Sequence, residues 1–397
     1  MMKSQFREFL FEGKHLAGLL VAAATVAVLL YMEGAAVAQS KSTLSALPPT
    51  PQAPKDNPTT PAKVALGRLL FWDPLLSGPQ DVACASCHHP QNGYAEDRDL
   101  SLGVTAIGLG SKRRQAPGSS IPIVKRNSPT VVNIAFSGSD ESGRYDPATA
   151  PMFWDLRVKS LEKQALEPLK ANEEMRGDTY KEDEAVASVV AKLQANAEYR
   201  SLFAGAFGGA QPVNAENLGR AIAAFERTLL ANNSPFDRYM RGDRSAMTEE
   251  QVSGMRRFES VGCVKCHNGP MFSDYKLHVM GVPDNPALPA SDDGAEKTYA
   301  FRTASLRNLT FTAPYEHNGM FRTLSDVVGF YEDARGGRSR NPNVSSEKLD
   351  PLIRELGDFD EQDVDLVEFL RALSDDSFDR TIPERVPSGL PVGGRIQ

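Results

Sequence analysis

The sequence predicts a mainly α-helical protein in two halves, with long ordered loops between the helices. Five segments place apolar residues at helical spacing, and long strand-like alternation is scarce. The four cysteines form two C-x-x-C pairs, one in each half of the chain, and a histidine follows each pair. Glycine- and proline-rich stretches such as 101–121 and 281–300 lie between the helices, and such loops are uncommon unless something orders them.

The helical segments have recognisable starts. PAKVALGRLLFWD spaces its apolar residues on one face, and VNAENLGRAIAAFERTLLA does the same with Asn214 as a possible N-cap. TEEQVSGMRRFESV opens with Thr248 and leads directly into the second cysteine pair. TLSDVVGFYED and DEQDVDLVEFLRAL complete the set, and the five segments together indicate the α-helical fold class.

Residues 1–38 are predicted to be a secretory signal peptide. Three basic residues precede the apolar run 16–32, and an A-x-A triplet at 36–38 ends just before Gln39. A run of this length could also just span a bilayer, so an uncleaved anchor is the alternative. We expect export to the periplasm, with no stable membrane insertion once the signal is cleaved.

The residues after the signal peptide indicate how the chain is divided into domains, and the net charge indicates which partners it can bind. Residues 39–60 are rich in Pro, Ser and Thr and are expected to form a flexible linker. The chain beyond them is long enough for two domains. The net charge is -7, and an acidic, exported protein is a poor binder of nucleic acid.

The two cysteine pairs have the spacing of covalent heme attachment. C-x-x-C-H is the c-type heme signal, in which both thiols bond the porphyrin and the histidine faces the iron. Both pairs match it, and no cysteine is left over. The residues are Cys84, Cys87, His88, Cys263, Cys266 and His267.

Other uses of the cysteines remain open at this point. A four-cysteine zinc site usually has its two pairs within about 15–20 residues of each other, whereas here residues 88–262 lie between them. A thioredoxin-like pair would need a βαβ context and no histidine. Two local disulfides are possible in an exported protein. Two covalent hemes explain the repeated histidine best.

Motifs along residues 60–375 resemble the bacterial diheme cytochrome c peroxidase family, in particular its MauG-type branch. In family order they read LGRLLFWDPLLS, CASCHHP, RNSPTVVN, FWDLR, EEM, SPFDRYMRG, GCVKCHNGPMFSD, SLRNLTFTAPYEHNGMFRTL and VVGFY. The resemblance implies two cytochrome c-like heme domains and a calcium ion between them. We place the peroxidatic domain at 61–235, the electron-transfer domain at 236–380 and a tail at 381–397.

In the family the first heme meets peroxide. Several members close that iron with a histidine in an I-G-H-G stretch, but this chain reads AIGLG and has Leu109 there. No histidine lies between His89 and His267, so we expect a five-coordinate first iron on His88 alone. We expect the side chain of His89 to point away from it.

The resemblance also implies an acid that moves protons between the peroxide oxygens. In QALEPLKANEEM, Glu174 matches this distal acid, and Gln164 and Pro168 match residues that line the pocket. Glu173 is the rival, since one residue of slippage exchanges the two. Without the resemblance, both glutamates could equally be a solvated helix end.

The second iron is expected to carry His267 on one face and Tyr331 on the other. Relatives that simply reduce peroxide often have a methionine at the Tyr331 position, and a tyrosine is the MauG-type choice. A phenolate favours ferric and higher-valent iron. Tyr331 could instead be a half-buried helix aromatic. The competing ligands are His278, His317, Met320 and Met255.

Trp154, in FWDLR, matches the tryptophan that the family sets between its hemes. An indole can relay an electron and pack as core at the same time. Trp72, the other tryptophan, is expected to be core.

The resemblance assigns calcium to the side chain of Asn127 and the backbone carbonyls of Thr312 and Pro314. An oxygen set completed by water suits calcium. From its local pattern alone, Asn127 would be a turn residue before Pro129.

Two functions compete. The first is an enzyme that uses hydrogen peroxide to oxidise a residue of a partner protein, as MauG-type members do, and Leu109 and Tyr331 favour it. The second is a peroxide reductase supplied by a small cytochrome c or copper protein. A plain electron-transfer cytochrome is a weaker third possibility, which the matched Glu174 disfavours. Val261 stands where MauG-type relatives have a partner-facing tryptophan, so the electron exit is open.

Overall fold

A computed structural model describes residues 43–397, and within that range the protein is mainly α-helical, as predicted. The helices are α1 Pro61–Trp72, α2 Cys84–Cys87, α3 Leu161–Gln164, α4 Glu182–Ala195, α5 Ala197–Phe207, α6 Ala215–Glu226, α7 Pro235–Met240, α8 Glu249–Ser260, α9 Leu324–Arg335, α10 Pro351–Arg354 and α11 Val364–Ala372. Three antiparallel two-stranded ribbons accompany them, pairing β1 Ala106–Ile107 with β2 Arg114–Gln115, β3 Pro151–Met152 with β4 Val158–Lys159, and β5 Leu277–His278 with β6 Phe301–Arg302. The ribbons stiffen the long loops.

Side-chain caps begin the predicted helices. The side chain of Asn214 accepts the backbone N–H of Asn217 at 2.8 Å and starts α6. Thr248 starts α8 through a reciprocal pair of hydrogen bonds with Gln251, and Thr323 starts α9 in the same way. Each cap satisfies backbone donors that the first helical turn leaves free. The sequence prediction of these starts is confirmed.

Each half contains a close helix crossing that only glycine permits. A Cβ at Gly67 in α1 would lie 2.0 Å from the carbonyl oxygen of Ala221 in α6. A Cβ at Gly254 in α8 would lie 1.9 Å from the carbonyl oxygen of Asp365 in α11. The crossings bring α1 against α6 in the first half and α8 against α11 in the second.

Two separate hydrophobic clusters surround the crossings. The first consists mostly of aliphatic side chains from residues 66–222, and the second is rich in phenylalanine and draws mainly on residues 236–373. In the second cluster, the rings of Phe258 and Phe369 lie 5.3 Å apart and those of Phe236 and Phe272 lie 5.1 Å apart. Such edge-on aromatic pairs stabilise a core beyond the area that they bury.

The predictions for the N-terminal residues need one correction. The predicted signal peptide, 1–38, and residues 39–42 lie outside the described residues. Residues 43–60, expected as part of a flexible linker, are packed instead, because Leu44 and Leu47 are only 2% and 1% exposed. The backbone N–H of Leu47 also donates to the Asp237 carboxylate at 2.9 Å. Within residues 43–397, no helix has both the length and the apolar character to cross a membrane.

The C-terminal residues 379–395 return to the first half, and we call them the C-terminal strap. At its start, the Tyr94 hydroxyl donates to the carbonyl of Asp379 at 2.7 Å. Further along, the Ser388 hydroxyl donates to the Asp73 carboxylate at 2.6 Å. The predicted tail, 381–397, is therefore bonded to the first half along much of its length.

The end of the strap reaches the first heme motif. The Ser86 hydroxyl donates to the carbonyl of Gly393 at 2.7 Å. The backbone N–H of Gly108 donates to the carbonyl of Arg395 at 2.8 Å. The strap thus bonds both the attachment helix α2 and the loop that contains Leu109.

Candidate active site

The first C-x-x-C-H motif presents its histidine for metal binding. Cys84 and Cys87 begin and end the single turn of α2, and His88 follows as its C-cap. Nδ1 of His88 lies 3.1 Å from the carbonyl oxygen of Tyr94, which can only accept, so Nδ1 carries the proton. Nε2 then keeps its lone pair for iron. Burial lowers the pKa of His88, which favours the neutral ring that a metal requires.

The second motif repeats this arrangement on a different local structure. Residues Cys263–Lys265 form a 3-10 turn, and Nδ1 of His267 donates to the carbonyl oxygen of Phe272 at 2.9 Å. Burial again lowers the pKa of the histidine. Both histidines are therefore oriented by a carbonyl five or six residues further along the chain.

The thiols do not form a zinc knuckle or a disulfide. All four cysteines are free among the described residues, so the local disulfides do not occur. Cys84 packs against the first hydrophobic cluster and Cys263 against the second. Because the two pairs lie in separate cores, they do not meet in one four-cysteine site.

A third possible metal group lies beside the second motif. Ligand atoms of Cys266, Asp274 and His278 come within 4.8 Å of one another. His278, however, donates through both nitrogens, to Asp350 at 2.7 Å and to Asp274 at 3.1 Å. The hydrogen bond to Asp274, followed by that to Cys266, raises the pKa of His278 to about 11. Because both ring nitrogens of His278 are engaged by carboxylates, neither is free to bind the iron.

The predicted distal acid lies close to the first motif. Glu174 belongs to the one-turn π-helical segment Asn172–Arg176, and its carbonyl accepts the backbone N–H of Val104 at 2.8 Å. Gly103 allows this approach, since a Cβ there would lie 2.2 Å from the Glu174 carbonyl oxygen. Burial, and next the neighbouring charge of Glu173, raise the pKa of Glu174 to about 7.

The field of Glu174 reaches both cysteines of the first motif. Burial is the main cause of the raised thiol pKa at Cys84 and at Cys87, and Glu174 adds a smaller contribution to each. Glu174 therefore lies near enough to the first motif for its charge to act on both thiols.

Gln164 and Pro168 lie in the segment that leads to Glu174. Gln164 ends α3 and Pro168 follows it, and both side chains are half-buried. Their buried neighbours Ala165, Leu169 and Met175 belong to the first hydrophobic cluster. The three predicted pocket residues therefore share one folded segment.

The loop that contains Leu109 is held by an arginine that the sequence analysis did not identify. Leu109 is half-buried and caps the turn Gly110–Lys112. Arg113 is 1% exposed and donates to the carbonyls of Leu102 at 2.7 Å and Gly103 at 3.1 Å. No motif in the sequence marks Arg113, because its hydrogen-bond partners are backbone carbonyls and its carboxylate partner, Glu96 at 3.8 Å, lies far from it in sequence.

Within the described part of the first half, His89 is the one histidine besides His88. Its ring meets that of Trp72 edge-on at 5.5 Å, and its Nδ1 accepts the backbone N–H of Gln91 at 3.2 Å. Trp72 is fully buried, as expected of a core residue. His89 is thus engaged with the core.

A cavity of about 250 Å³ lies beside the second motif. His267 and Tyr331 both line it, with ring centroids 6.5 Å apart. Burial, and next the carboxylate of Glu316, raise the pKa of Tyr331 well above its ordinary value. The phenol therefore keeps its proton unless a cation displaces it.

The competing ligands differ in their positions. Met255 and Met320 are not among the residues that line the cavity, whereas His317 is. The His317 ring stacks on that of Phe301 at 3.6 Å, and burial lowers its pKa to about 3. His317 remains a neutral imidazole at the cavity wall.

Trp154 lines the same cavity. Its indole N–H donates to the carbonyl of Asn127 at 3.1 Å, and its ring lies edge-on to His317 at 6.4 Å. It is 8% exposed, so core packing and a relay role are both compatible with its position.

The expected calcium ligands also line this cavity. The Asn127 side chain uses its amide N–H to donate to the carbonyl of Arg98 at 2.8 Å, which leaves its oxygen for a cation. Within residues 43–397, the carbonyls of Thr312 and Pro314 accept no hydrogen bond. Unsatisfied oxygens of this kind fit a calcium ion.

In each of two separate cores, the histidine of a C-x-x-C-H motif keeps its Nε2 lone pair for iron. This arrangement places the protein among the diheme c-type cytochromes. Near the cysteines of the first motif, the half-buried Glu174 has a pKa of about 7, which is the titration that proton transfer to or from peroxide would require.

Comparison with known proteins supports the assignment to the diheme c-type cytochromes. Residues 61–245 match the family model described as di-haem cytochrome c peroxidase. The chain is 35% identical to cytochrome-c peroxidase IdrP1 of Pseudomonas sp. (strain SCT), covering 90% of this chain and 91% of that protein. It is 34% identical to methylamine utilization protein MauG of Methylorubrum extorquens, covering 83% of each.

A solved structure has the same fold. The crystal structure of a MauG-like protein associated with microbial copper homeostasis matches with a TM-score of 0.65 and 27% identity, over 83% of this chain and 94% of that one. The chain belongs to the di-haem cytochrome c peroxidase family. It is a diheme peroxidase-type oxidoreductase with two c-type hemes, which acts on hydrogen peroxide with a redox partner.

Proposed function

We propose that this enzyme belongs to the MauG-type branch and uses peroxide to oxidise a partner protein in the periplasm. The observation that carries the proposal is Tyr331, which faces His267 across the cavity where neither Met255 nor Met320 lies. When bound, the two hemes supply an iron that reacts with peroxide and a second redox centre. The residues around them decide how that chemistry is used.

At the first motif, His88 would bind the iron and Leu109 would leave its other face open. Leucine has no lone pair, and His89 is turned toward Trp72. Glu174 would take a proton from the peroxide oxygen that approaches the iron and deliver it to the leaving oxygen. A pKa of about 7 suits both transfers near neutral pH.

At the second motif, Tyr331 would bind as a phenolate opposite His267. This hard anionic ligand would stabilise the oxidised forms of the centre and let it hold an oxidising equivalent. Trp154 would connect the two centres, and calcium at Asn127, Thr312 and Pro314 would fix the loops between them. The boundaries 61–235 and 236–380 follow the two hydrophobic clusters.

A stopped-flow experiment tests the proposal. All-ferric enzyme mixed with peroxide should react at once, with no reductant added, and should show a high-spin ferric heme at rest. Leu109→His should give a low-spin resting state and a requirement for prior reduction. An inert ferric enzyme that becomes active after one-electron reduction would contradict the open first iron.

Substitution of Tyr331 tests the second centre. Tyr331→Phe should leave both hemes attached while changing the spectrum of one. Tyr315→Phe is the control, because Tyr315 lines the same cavity and its hydroxyl already donates to the carbonyl of Leu309. An unchanged low-spin signal in Tyr331→Phe would move the ligand to His317 or to one of the methionines that line the cavity, Met271 and Met280.

A second function has specific support. The 35% identical relative is named a cytochrome-c peroxidase, so the enzyme could reduce peroxide to water with electrons from a small cytochrome c or copper protein. Steady-state assays with each type of donor distinguish the two. Rapid turnover with a small donor protein favours the reductase, and slow turnover with a long-lived oxidised enzyme favours oxidation of a partner protein.

A further inference from the structure

The position at which MauG-type relatives are expected to exchange electrons with a partner is closed in this protein. Val261 is 2% exposed, and its carbonyl accepts the backbone N–H of Gly357 at 2.8 Å. An aliphatic side chain beneath another segment cannot contact a partner. The second centre therefore needs another connection to the surface.

A tyrosine on the cavity wall is held in an unfavourable backbone conformation. Tyr275 lines the cavity together with His267 and Trp154, and its φ is 52°. A bulky residue rarely adopts the left-handed region unless its surroundings impose it, and such strain gathers at functional positions. Here the Ser273 hydroxyl accepts the backbone N–H of Tyr275 at 3.0 Å and donates to the carbonyl of Thr303 at 2.6 Å.

Two further aromatic residues continue from Tyr275 to the surface. The Tyr275 hydroxyl donates to the carbonyl of Phe136 at 3.5 Å, and Phe136 is fully buried. The rings of Phe136 and Tyr145 meet edge-on with centroids 6.3 Å apart. All three residues belong to one small hydrophobic cluster with Met271.

Tyr145 ends this row at the surface. Its hydroxyl accepts the backbone N–H of Gln52 at 2.7 Å in an exposed hydrogen bond, and its side chain is half-buried. The flanking residues 144 and 146 are exposed. A molecule in solution can therefore approach the phenol.

We infer that Tyr275, Phe136 and Tyr145 form the route by which electrons enter the second centre from a one-electron donor at the surface around Tyr145. The inference rests on the proposed function, which supplies the oxidised second centre. In this route the donor reduces the oxidised Tyr145. The rings of Tyr275 and Phe136 pass the electron between Tyr145 and the second centre and are chemically unchanged afterwards.

The electron and proton balance is simple. Tyr145 gives one electron to the oxidised second centre and its phenolic proton to water. The external donor then returns one electron to Tyr145, and water returns the proton. Two such cycles, with two protons from solvent, balance the reduction of one hydrogen peroxide to two waters.

Radical mapping on the intact diheme protein tests the route. Ferric enzyme is mixed with peroxide and a nitroso spin trap, digested, and the adducts are located by mass spectrometry. The adduct should concentrate on Tyr145 and not on Tyr239, a half-buried tyrosine in the second half that lies under Arg244 and away from the cavity. Tyr145→Phe should remove the adduct and leave the spectral reaction with peroxide unchanged.

Two substitutions at Tyr275 separate mediation from packing. Tyr275→Phe keeps the ring and should keep the Tyr145 adduct, whereas Tyr275→Leu should lower it to the level of Tyr239. Both variants share the strained backbone, and equal heme absorbance shows that both fold. Equal adducts on Tyr145 and Tyr239, or a Tyr145 adduct unaffected by Tyr275→Leu, would overturn the route. Absence of any spectral reaction with peroxide would instead overturn the proposed function beneath it.

Discussion

The two halves orient their histidines in the same way and surround them with different chemistry. His88 and His267 each donate to a nearby backbone carbonyl, and each half has one close crossing at a glycine. Around the first motif lie buried carboxyls. Burial raises the pKa of Glu174 and of Glu96 to about 7 and that of Glu226 to about 8.

Around the second motif many side chains are aromatic, and one cavity carboxyl, Glu316, has its pKa raised to about 7 by burial. The cavity wall carries Trp154, Tyr275, Phe301, Tyr315 and Tyr331, and the neighbouring core contains packed phenylalanines. Carboxyls that titrate near neutrality can move protons, whereas aromatic rings can hold and pass electrons. The same local arrangement of a metal-binding histidine can therefore serve proton transfer or electron transfer. The residues around the histidine determine which of the two it serves.

Removal of the Glu174 carboxyl should slow the reaction of the first half with peroxide. Glu174→Gln should slow the peroxide step by roughly a hundredfold or more, the usual contribution of general acid–base catalysis. Stopped-flow absorbance measures this rate. Glu173→Gln is the matched control and should remain within a few-fold of wild type. A larger loss in the control would exchange the roles of the two glutamates.

The glycine crossings should matter equally in both halves. A Cβ at Gly67 or Gly254 would overlap a backbone carbonyl, so Gly67→Ala and Gly254→Ala should each destabilise the protein by about 1–3 kcal/mol. Gly205→Ala in α5 is the control. A Cβ there meets nothing within 4 Å, and the change should stabilise the helix by about 0.5–1 kcal/mol. Thermal unfolding of the heme-loaded variants compares the three, and a neutral Gly254→Ala would show that the crossing can open.

The rate of reaction with peroxide should depend on pH through a carboxyl of the first half. The pKa of Glu174 is raised from 4.5 to about 7, and the carboxylate must be ionised to accept the first proton from peroxide. The peroxide rate should therefore be constant above pH 7 and fall about tenfold for each pH unit below it. Glu174→Gln should abolish this dependence. A wild-type rate that is flat down to pH 5 would exclude Glu174 as the titrating group.

Local signals in the sequence were sufficient for the parts of the site that are built locally. The C-x-x-C-H spacing fixes both attachment points, and the caps at Asn214, Thr248 and Thr323 lie within three residues of the donors that they satisfy. α4 and α5 were both missed. The N-cap of α4, Lys181, makes no side-chain capping bond, whereas Asn196 caps α5 through the backbone N–H of Tyr199.

Features built from distant residues left no local signal. Arg113 binds backbone carbonyls, which any sequence provides, and the strain at Tyr275 depends on a serine held by Thr303. The C-terminal strap depends on backbone hydrogen bonds between residues more than 280 positions apart, such as that from Gly108 to Arg395. The resemblance of individual motifs therefore predicted which residues the site contains, and the structure was needed to show what holds them.

The smallest expected effect concerns the strap, whose hydrogen bonds to other parts of residues 43–397 go to the first half. Gly394 has a φ of 77°, and a Cβ there would lie 2.3 Å from the carbonyl oxygen of Asp81. Gly389 has a φ of 74°, but a Cβ there meets nothing within 4 Å. Both alanine variants carry the same backbone penalty, so their difference isolates the contact between strap and first half.

Gly394→Ala should release the end of the strap and, with it, the hydrogen bond from Gly108 to Arg395. Amide hydrogen exchange should then increase in residues 103–113 and at α2, while residues 263–278 around the second motif stay as protected as in wild type. Gly389→Ala should leave exchange in all three regions unchanged. If Gly394→Ala raises exchange around both motifs equally, the strap stabilises the whole protein, and the two halves are less independent than their separate cores suggest.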